Sequence, residues 1–303
     1  MYDILVRAGC FIVSILIGLI LRRIGFFKEE DFHVISKIVI KITLTAAIVS
    51  NFTGREMESS MFLLAVIGFL FGVIFILLGM LLNARRGRDA QSFAVLNQSG
   101  FNIGCLALPF AQGFLGPVGV MAISLFDMGN SFICLGGAYS VAALVKDKNN
   151  KFSIRFVLKR LANSLPLLTY LFMTILCALR ISLPGPLVSL ADMVGSANAF
   201  MAMLMIGVGF QLKGESSQLK EVLRILVTRF GVAILMALCC WFLFPFPLEY
   251  RQAMVIGCLA PVASAAPAFT ADIGGDFGMA SAVNSLSIVI SIVLIILALL
   301  LIL

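Results

Sequence analysis

The chain has 303 residues, of which 61% are hydrophobic and 12% charged, with a net charge of +7 and a mean hydropathy of +1.10. A soluble domain carries roughly 25% charged residues, so a water-soluble core of this length is excluded. The apolar residues fall in runs of about 18 to 25, which is the length a helix needs to cross a hydrocarbon core of roughly 30 Å and too long for barrel strands.

In chain order the runs predict an all-α integral membrane protein of about ten transmembrane helices, at 4–21, 34–52, 60–83, 91–112, 117–145, 156–179, 187–210, 222–244, 251–271 and 278–302. The first run lacks a small-residue cleavage site and leads into Arg22, Arg23 and Lys28, so it is expected to stay as the first span. Lys37 and Lys41, on the second, are expected to snorkel to the edge. The only histidine, His33, sits among Glu29, Glu30 and Asp31 and is expected to be solvated.

The fourth run, QSFAVLNQSGFNIGCLALPFAQ, is a poor sequence for a lipid-facing helix. It places Asn97, Gln98, Ser99 and Asn102 among the helix-weakening Gly100, Gly104 and Pro109. The fifth adds Asp127 and Asn130, three residues apart and so on one helix face. A lone carboxylate near the bilayer centre costs about 2.5 to 3.5 kcal/mol on insertion scales. It should therefore point into the bundle, to carry a proton or to pack against a neighbouring helix. Between the fifth and sixth runs lies the most hydrophilic connection, KDKNNKFSIR (146–155). It divides the chain into a first five-helix half (1–145) and a second (156–303), which an odd number of spans would orient oppositely. Gln91 and Gln252 open the fourth and ninth runs, and Gly113 and Gly274 close them at the same offset, as an inverted repeat predicts.

Asp192, in the seventh run, is read as a helix-end or interfacial group. The ninth, RQAMVIGCLAPVASAAPAFTADIGGD, contains Pro261 and Pro267, each of which costs about 3 kcal/mol in an ordinary helix interior. The tenth brings Asn284, Ser285 and Ser287, which fit either a polar cluster or interhelical glue. Broken helices at matching places in two halves point to a central site, because half-helix N-termini attract anions and freed carbonyls attract cations. Kinks that only allow close packing are the bland alternative. All seven cysteines fall inside apolar runs without metal-site spacing and read as packing residues.

Fifteen of the 22 Lys and Arg residues fall in the first, third, fifth and seventh connections. The positive-inside rule then places those connections in the cytoplasm and both termini outside a plasma membrane. This asymmetry explains the net charge without nucleic acid. There is no HExxH, GxSxG or Walker-type phosphate loop, so neither an enzyme nor an ATP-driven pump is expected. A secondary transporter fits best, and a membrane receptor that binds without transporting is the alternative.

NQSGFNIGCLALPFAQGFLG, FDMGNSF and CLAPVASAAPAFTADIGGDFGMASAVNSLS resemble the auxin efflux carrier family in its short bacterial form. The resemblance spans essentially the whole chain. It implies crossed, broken fourth and ninth helices, a scaffold of helices one, two, six and seven, and transport of carboxylates such as malate or malonate by alternating access. It further implies that asparagines beside the crossing hold the carboxylate, with Asn97 and Asn102 nearest here. The chain lacks the long central loop of the plant carriers and the Pro of their second span. The resulting expectation is a site in which Asn97, Gln98, Asn102 and Asn130 bind substrate and Ser264 and Thr270 form the opposite wall. Asp127, with Asn284 nearby, would carry a coupling proton, and Gly100, Gly104, Pro109, Pro261 and Pro267 would break the helices. Expected partners are a small carboxylate and the lipid bilayer; a homodimer is allowed, and no cofactor, metal or nucleic acid is expected.

Overall fold

The computed structural model describes residues 2–55, 57–147, 154–211 and 218–303. Lys148, Lys151 and Lys213, and most of the expected 146–155 linker, lie outside the described residues. Among the described residues every regular element is helical. That is the outcome lipid imposes, because a backbone without water must satisfy its own N–H and C=O groups. α1 (Tyr2–Arg23) is one long helix. α2 (Asp31–Ile38) and α3 (Leu44–Phe52) are joined by a π-helical turn. α4 (Phe62–Leu82) follows, and α5 (Arg88–Gln98) and α6 (Leu108–Phe114) flank an interruption. α7 (Pro117–Phe132) and α8 (Ala138–Lys146) also meet at a π-helical turn.

In the second half come α9 (Ile154–Ala162), α10 (Leu165–Ala178), α11 (Gly185–Ser196) and α12 (Asn198–Gly209). The chain then continues through α13 (Leu219–Phe242), α14 (Leu248–Cys258), α15 (Ala266–Asp272) and α16 (Phe277–Ile302). Seven helical runs are long and apolar enough to cross a membrane, and an eighth is added if α9 and α10 form one span. The expected fourth and ninth spans are not among them, because each is cut into pieces too short to cross alone. The expected sixth span, 156–179, is bent by 74° between α9 and α10. Ser164 caps the new helix, accepting from Leu167 N–H, and Pro166 occupies its first turn. α9 is amphipathic, with Val157 and Leu161 buried and Arg155 and Lys159 exposed.

The connections after the odd-numbered runs gather on one face. There Arg86 pairs with Glu221, Lys146 with Asp89, Gln211 with Glu29 and Gln218 with Asp276. On the other face Arg7 reaches Gly113 C=O, Ser50 bonds Asp192, and Tyr250 bonds Glu58. Asp192 is thus tied near a helix end, and Lys37, Lys41 and His33 are exposed.

The helices pack in two groups. α1 lies on α12, and α3 on α10 and α11; α4 lies on α5 and α7, α14 on α7 and α13, and α15 on α16. Within each group glycines let backbones come close, as suits membrane helices when apolar side chains gain little by leaving lipid. Gly18 and Gly207 make the α1–α12 crossing, and Gly68 and Gly129 the α4–α7 crossing. A Cβ on Gly129 would stand 1.7 Å from Ala65 O. Gly129→Ala should therefore force the two helices apart and lower stability by about 2 to 3 kcal/mol. Gly231→Ala, with nothing within 4 Å, should be neutral or slightly stabilising. Thermal unfolding of both variants in detergent is the check, and equal melting temperatures would contradict the crossing.

Candidate functional site

α5 stops at Gln98. Ser99 is extended, Gly100 takes φ +73°, and the chain resumes helical form only at Ile103. Glycine is required at position 100 twice over: the left-handed φ disfavours a side chain, and a Cβ would meet Cys134 Sγ at 2.6 Å. The π-helical turn Ile103–Ala107 then leads into α6. The interruption is thus residues 99–102. Gly104 lies in the π-helical turn beyond it, and Pro109 follows that turn as the second residue of α6. In the ninth run α14 ends at Cys258 and α15 begins at Ala266. Pro261 sits inside this second interruption, and Pro267 in the first turn of α15.

The two interruptions touch. Asn102 N–H donates to Pro261 C=O at 2.9 Å. Arg229, fully buried on α13, donates Nη1 to Gln98 C=O at 3.0 Å and Nη2 to Gly100 C=O at 2.9 Å and Ala260 C=O at 3.2 Å. The carbonyls freed where both half-helices end are thereby satisfied by one cation.

Each interruption is also held by the span that follows it. Phe101 N–H donates to Asn130 Oδ1 at 2.9 Å, and Asn130 Nδ2 donates back to Phe101 C=O at 2.7 Å. Asn284 Nδ2 donates to Ala263 C=O at 3.2 Å, while Ser287 Oγ accepts from Val262 N–H at 3.2 Å. Asn97 Nδ2 joins the broken spans directly, donating to Thr270 Oγ1 at 3.0 Å. Asn130 Nδ2 further donates to Asp127 at 2.9 Å, and Tyr170 OH, arriving from α10, donates to the other carboxylate oxygen at 3.2 Å.

Beside the junction lies a cavity of about 240 Å³, lined by Asn102, Ser264, Ser281 and Asn284 with Arg22 and Glu29 at its mouth. It opens on the face that collects the odd-numbered connections. The chain running from Asn102 towards the opposite face is buried as far as Ala111 except at Gly104. A second cavity of about 490 Å³ on the same face is lined by Thr270 and the charged Arg86, Lys146, Asp89 and Glu221.

Of the residues expected at a substrate site, Asn102, Ser264 and Asn284 face the first cavity and Thr270 the second. Asn97, Gln98, Asn130 and Asp127 do not line either; they are buried in the frame around the interruptions. The expected wall of amides is therefore split. Of Asn97, Gln98, Asn102 and Asn130, Asn102 alone lines the first cavity, Asn130 holds the backbone of the first interruption, and Asn97 bonds the Thr270 side chain.

Sequence reasoning missed Arg229 and Tyr170. Arg229 carried a usable signal: an arginine well inside an apolar run is costly to insert unless the fold has partners for it. The partners, however, are backbone carbonyls with no sequence signature.

The chain is an all-helical, multispan membrane protein whose two interrupted spans meet beside a polar cavity. No protein-family model matches it. It is similar to a protein of Methanothermobacter thermautotrophicus described as an uncharacterized transporter, 25% identical over 126 residues. The match covers 40% of this chain and spans 42% of that relative's length.

Proposed function

We propose that the chain is a secondary transporter of small organic anions, carboxylates foremost, working by alternating access. The observation that carries this reading is the polar cavity at the junction of two broken spans, open to one face. Broken helices with free backbone ends near mid-membrane are a recurrent plan for transporter sites. The packing of α1, α3, α10, α11 and α12 apart from the remaining spans supplies two bodies that could move past each other. Contacts between these bodies include Leu44 beside Gly104 and Phe11 beside Gly113. The relative described as a transporter supports the class, and the resemblance to the short bacterial auxin efflux carriers supports carboxylates. The charge distribution supports a plasma-membrane protein with both termini outside and the open cavity facing the cytoplasm.

In this reading Asn102, Ser264 and Asn284 offer amide and hydroxyl donors to the carboxylate, and Asp127 carries a coupling proton. Asn102→Ala should weaken binding of the transported acid about ten- to a hundredfold, the value of one hydrogen bond to a charged group. The fold should survive, because the bond that Asn102 makes across the junction is through its backbone N–H. Uptake of labelled small carboxylates into vesicles containing the purified protein, together with calorimetric affinities, tests both statements. Binding without accumulation would show a receptor. Unchanged affinity in the Ala variant would move the substrate elsewhere.

A further inference from the structure

Arg229 has a role that anion binding in the cavity does not use. It lies well inside α13 with no accessible surface, and its guanidinium meets no carboxylate among the described residues. Its partners are three backbone carbonyls, Gln98 and Gly100 from the first interruption and Ala260 from the second. The faces of Phe75 and Phe101 complete the enclosure, with ring centroids 4.2 and 4.4 Å from the guanidinium carbon. Carbonyl oxygens freed at the ends of two half-helices are what coordinates a coupling cation in broken-helix transporters, and aromatic faces favour a cation further. An apolar side chain of similar length would fill the same volume and leave all three carbonyls without Arg229's hydrogen bonds in a buried place.

We propose that Arg229 is a tethered cation: it occupies a carbonyl site for a monovalent cation, locks the two interruptions into one unit, and frees the protein from sodium or potassium at that position. The first two statements concern the site itself, and the third rests on the transporter reading. An ion that dissociates would let the two interruptions separate once per cycle. A guanidinium fixed to α13 holds them through every state, so the junction would move as one piece with α13.

The test uses the full chain purified in detergent. Arg229→Ala should unfold at a temperature lower by about 10 °C, the expected result of orphaning buried carbonyls. Added guanidinium ion at low millimolar concentration should recover most of that shift saturably and sodium ion part of it. Urea, the neutral molecule of the same shape, should recover none, and the parent protein should respond to none of the three. Recovery by urea as good as by guanidinium, or no recovery by any cation, would overturn the proposal. If Arg229→Ala gives no folded protein, Arg229→Lys and Arg229→Met decide. Lys keeps a charge and should stay close to the parent, whereas a Met variant as stable as the Lys variant would overturn the cation site. In vesicles the parent should transport equally with sodium and potassium replaced by choline, and sodium-dependent flux would refute the third statement. An absence of flux under every condition would count against the transporter reading alone, since the thermal shifts measure the cation site without it.

Discussion

Asn130→Ala is expected to lower the unfolding temperature by about 10 °C, although the residue lines neither cavity. Its side chain makes four hydrogen bonds, one of them accepted from Cys134 Sγ. Two of them close on the peptide groups of one residue, Phe101, whose N–H and C=O have left the helix and lie buried with 1% of the residue exposed. Removing the amide orphans the Phe101 N–H in a place that water does not reach, takes one donor from Phe101 C=O, which keeps Ile103 N–H at 2.9 Å, and takes another from Asp127. The orphaned N–H costs about 1 to 3 kcal/mol and each of the two other lost hydrogen bonds about 1 kcal/mol, so a loss of about 3 to 5 kcal/mol follows, at about 2 to 4 °C per kcal/mol for a chain of this size.

Asn284→Ala should cost distinctly less. Its bonds to Ala263 and Val262 are longer, at 3.2 and 3.4 Å, and its side chain is half-buried beside the cavity. Ser131→Ala, which loses only a bond back to Asp127 C=O, should change stability by less than about 1 kcal/mol. Melting curves of the three variants in one detergent should rank in that order. An Asn130→Ala protein as stable as Ser131→Ala would mean that the amide does not hold the interruption.

Asp127→Asn should abolish accumulation driven by a pH gradient while leaving substrate exchange across the membrane intact. The carboxylate sits between Asn130 on its own helix and Tyr170 on α10, so it lies where the two packing groups meet. A proton gained or lost there changes a bond that spans both groups, which is how a titrating residue would be coupled to their relative movement. Asn is nearly isosteric, can still accept from Asn130, and is cheaper to bury than a charged Asp. It mimics the neutral form without being able to release a proton. Exchange of labelled for unlabelled acid needs no net proton movement and should continue. Uphill uptake with an imposed pH gradient should fall to the level of protein-free vesicles. A purely structural aspartate predicts the opposite pair, lower stability with coupling retained. Proton-driven uptake by the folded Asn variant at the parent level would falsify the coupling role.

The sequence by itself determined the class and the places where helices fail. Runs of apolar residues with clustered charges leave only membrane helices as a solution, and the ends of those runs agree with the helical ends along most of the chain. Gly100 and Pro261 mark both interruptions because each changes the backbone locally: glycine admits φ +73°, and proline removes a donor whatever surrounds it. The 74° bend at Ser164 was also written locally, in a capping serine followed by Pro166 at the end of the amphipathic α9.

Which polar side chain would face the cavity and which would hold the frame was decided only by tertiary structure. Asn97 and Asn102 are chemically identical and five residues apart, yet one bonds Thr270 across 173 positions of sequence and the other lines the open space. Arg229 and its three carbonyls lie 131, 129 and 31 positions apart in the chain. Its role depends on where two backbone interruptions come to rest against α13, and a backbone carbonyl is the same atom pair at every residue, so only the packed fold selects which three meet the guanidinium.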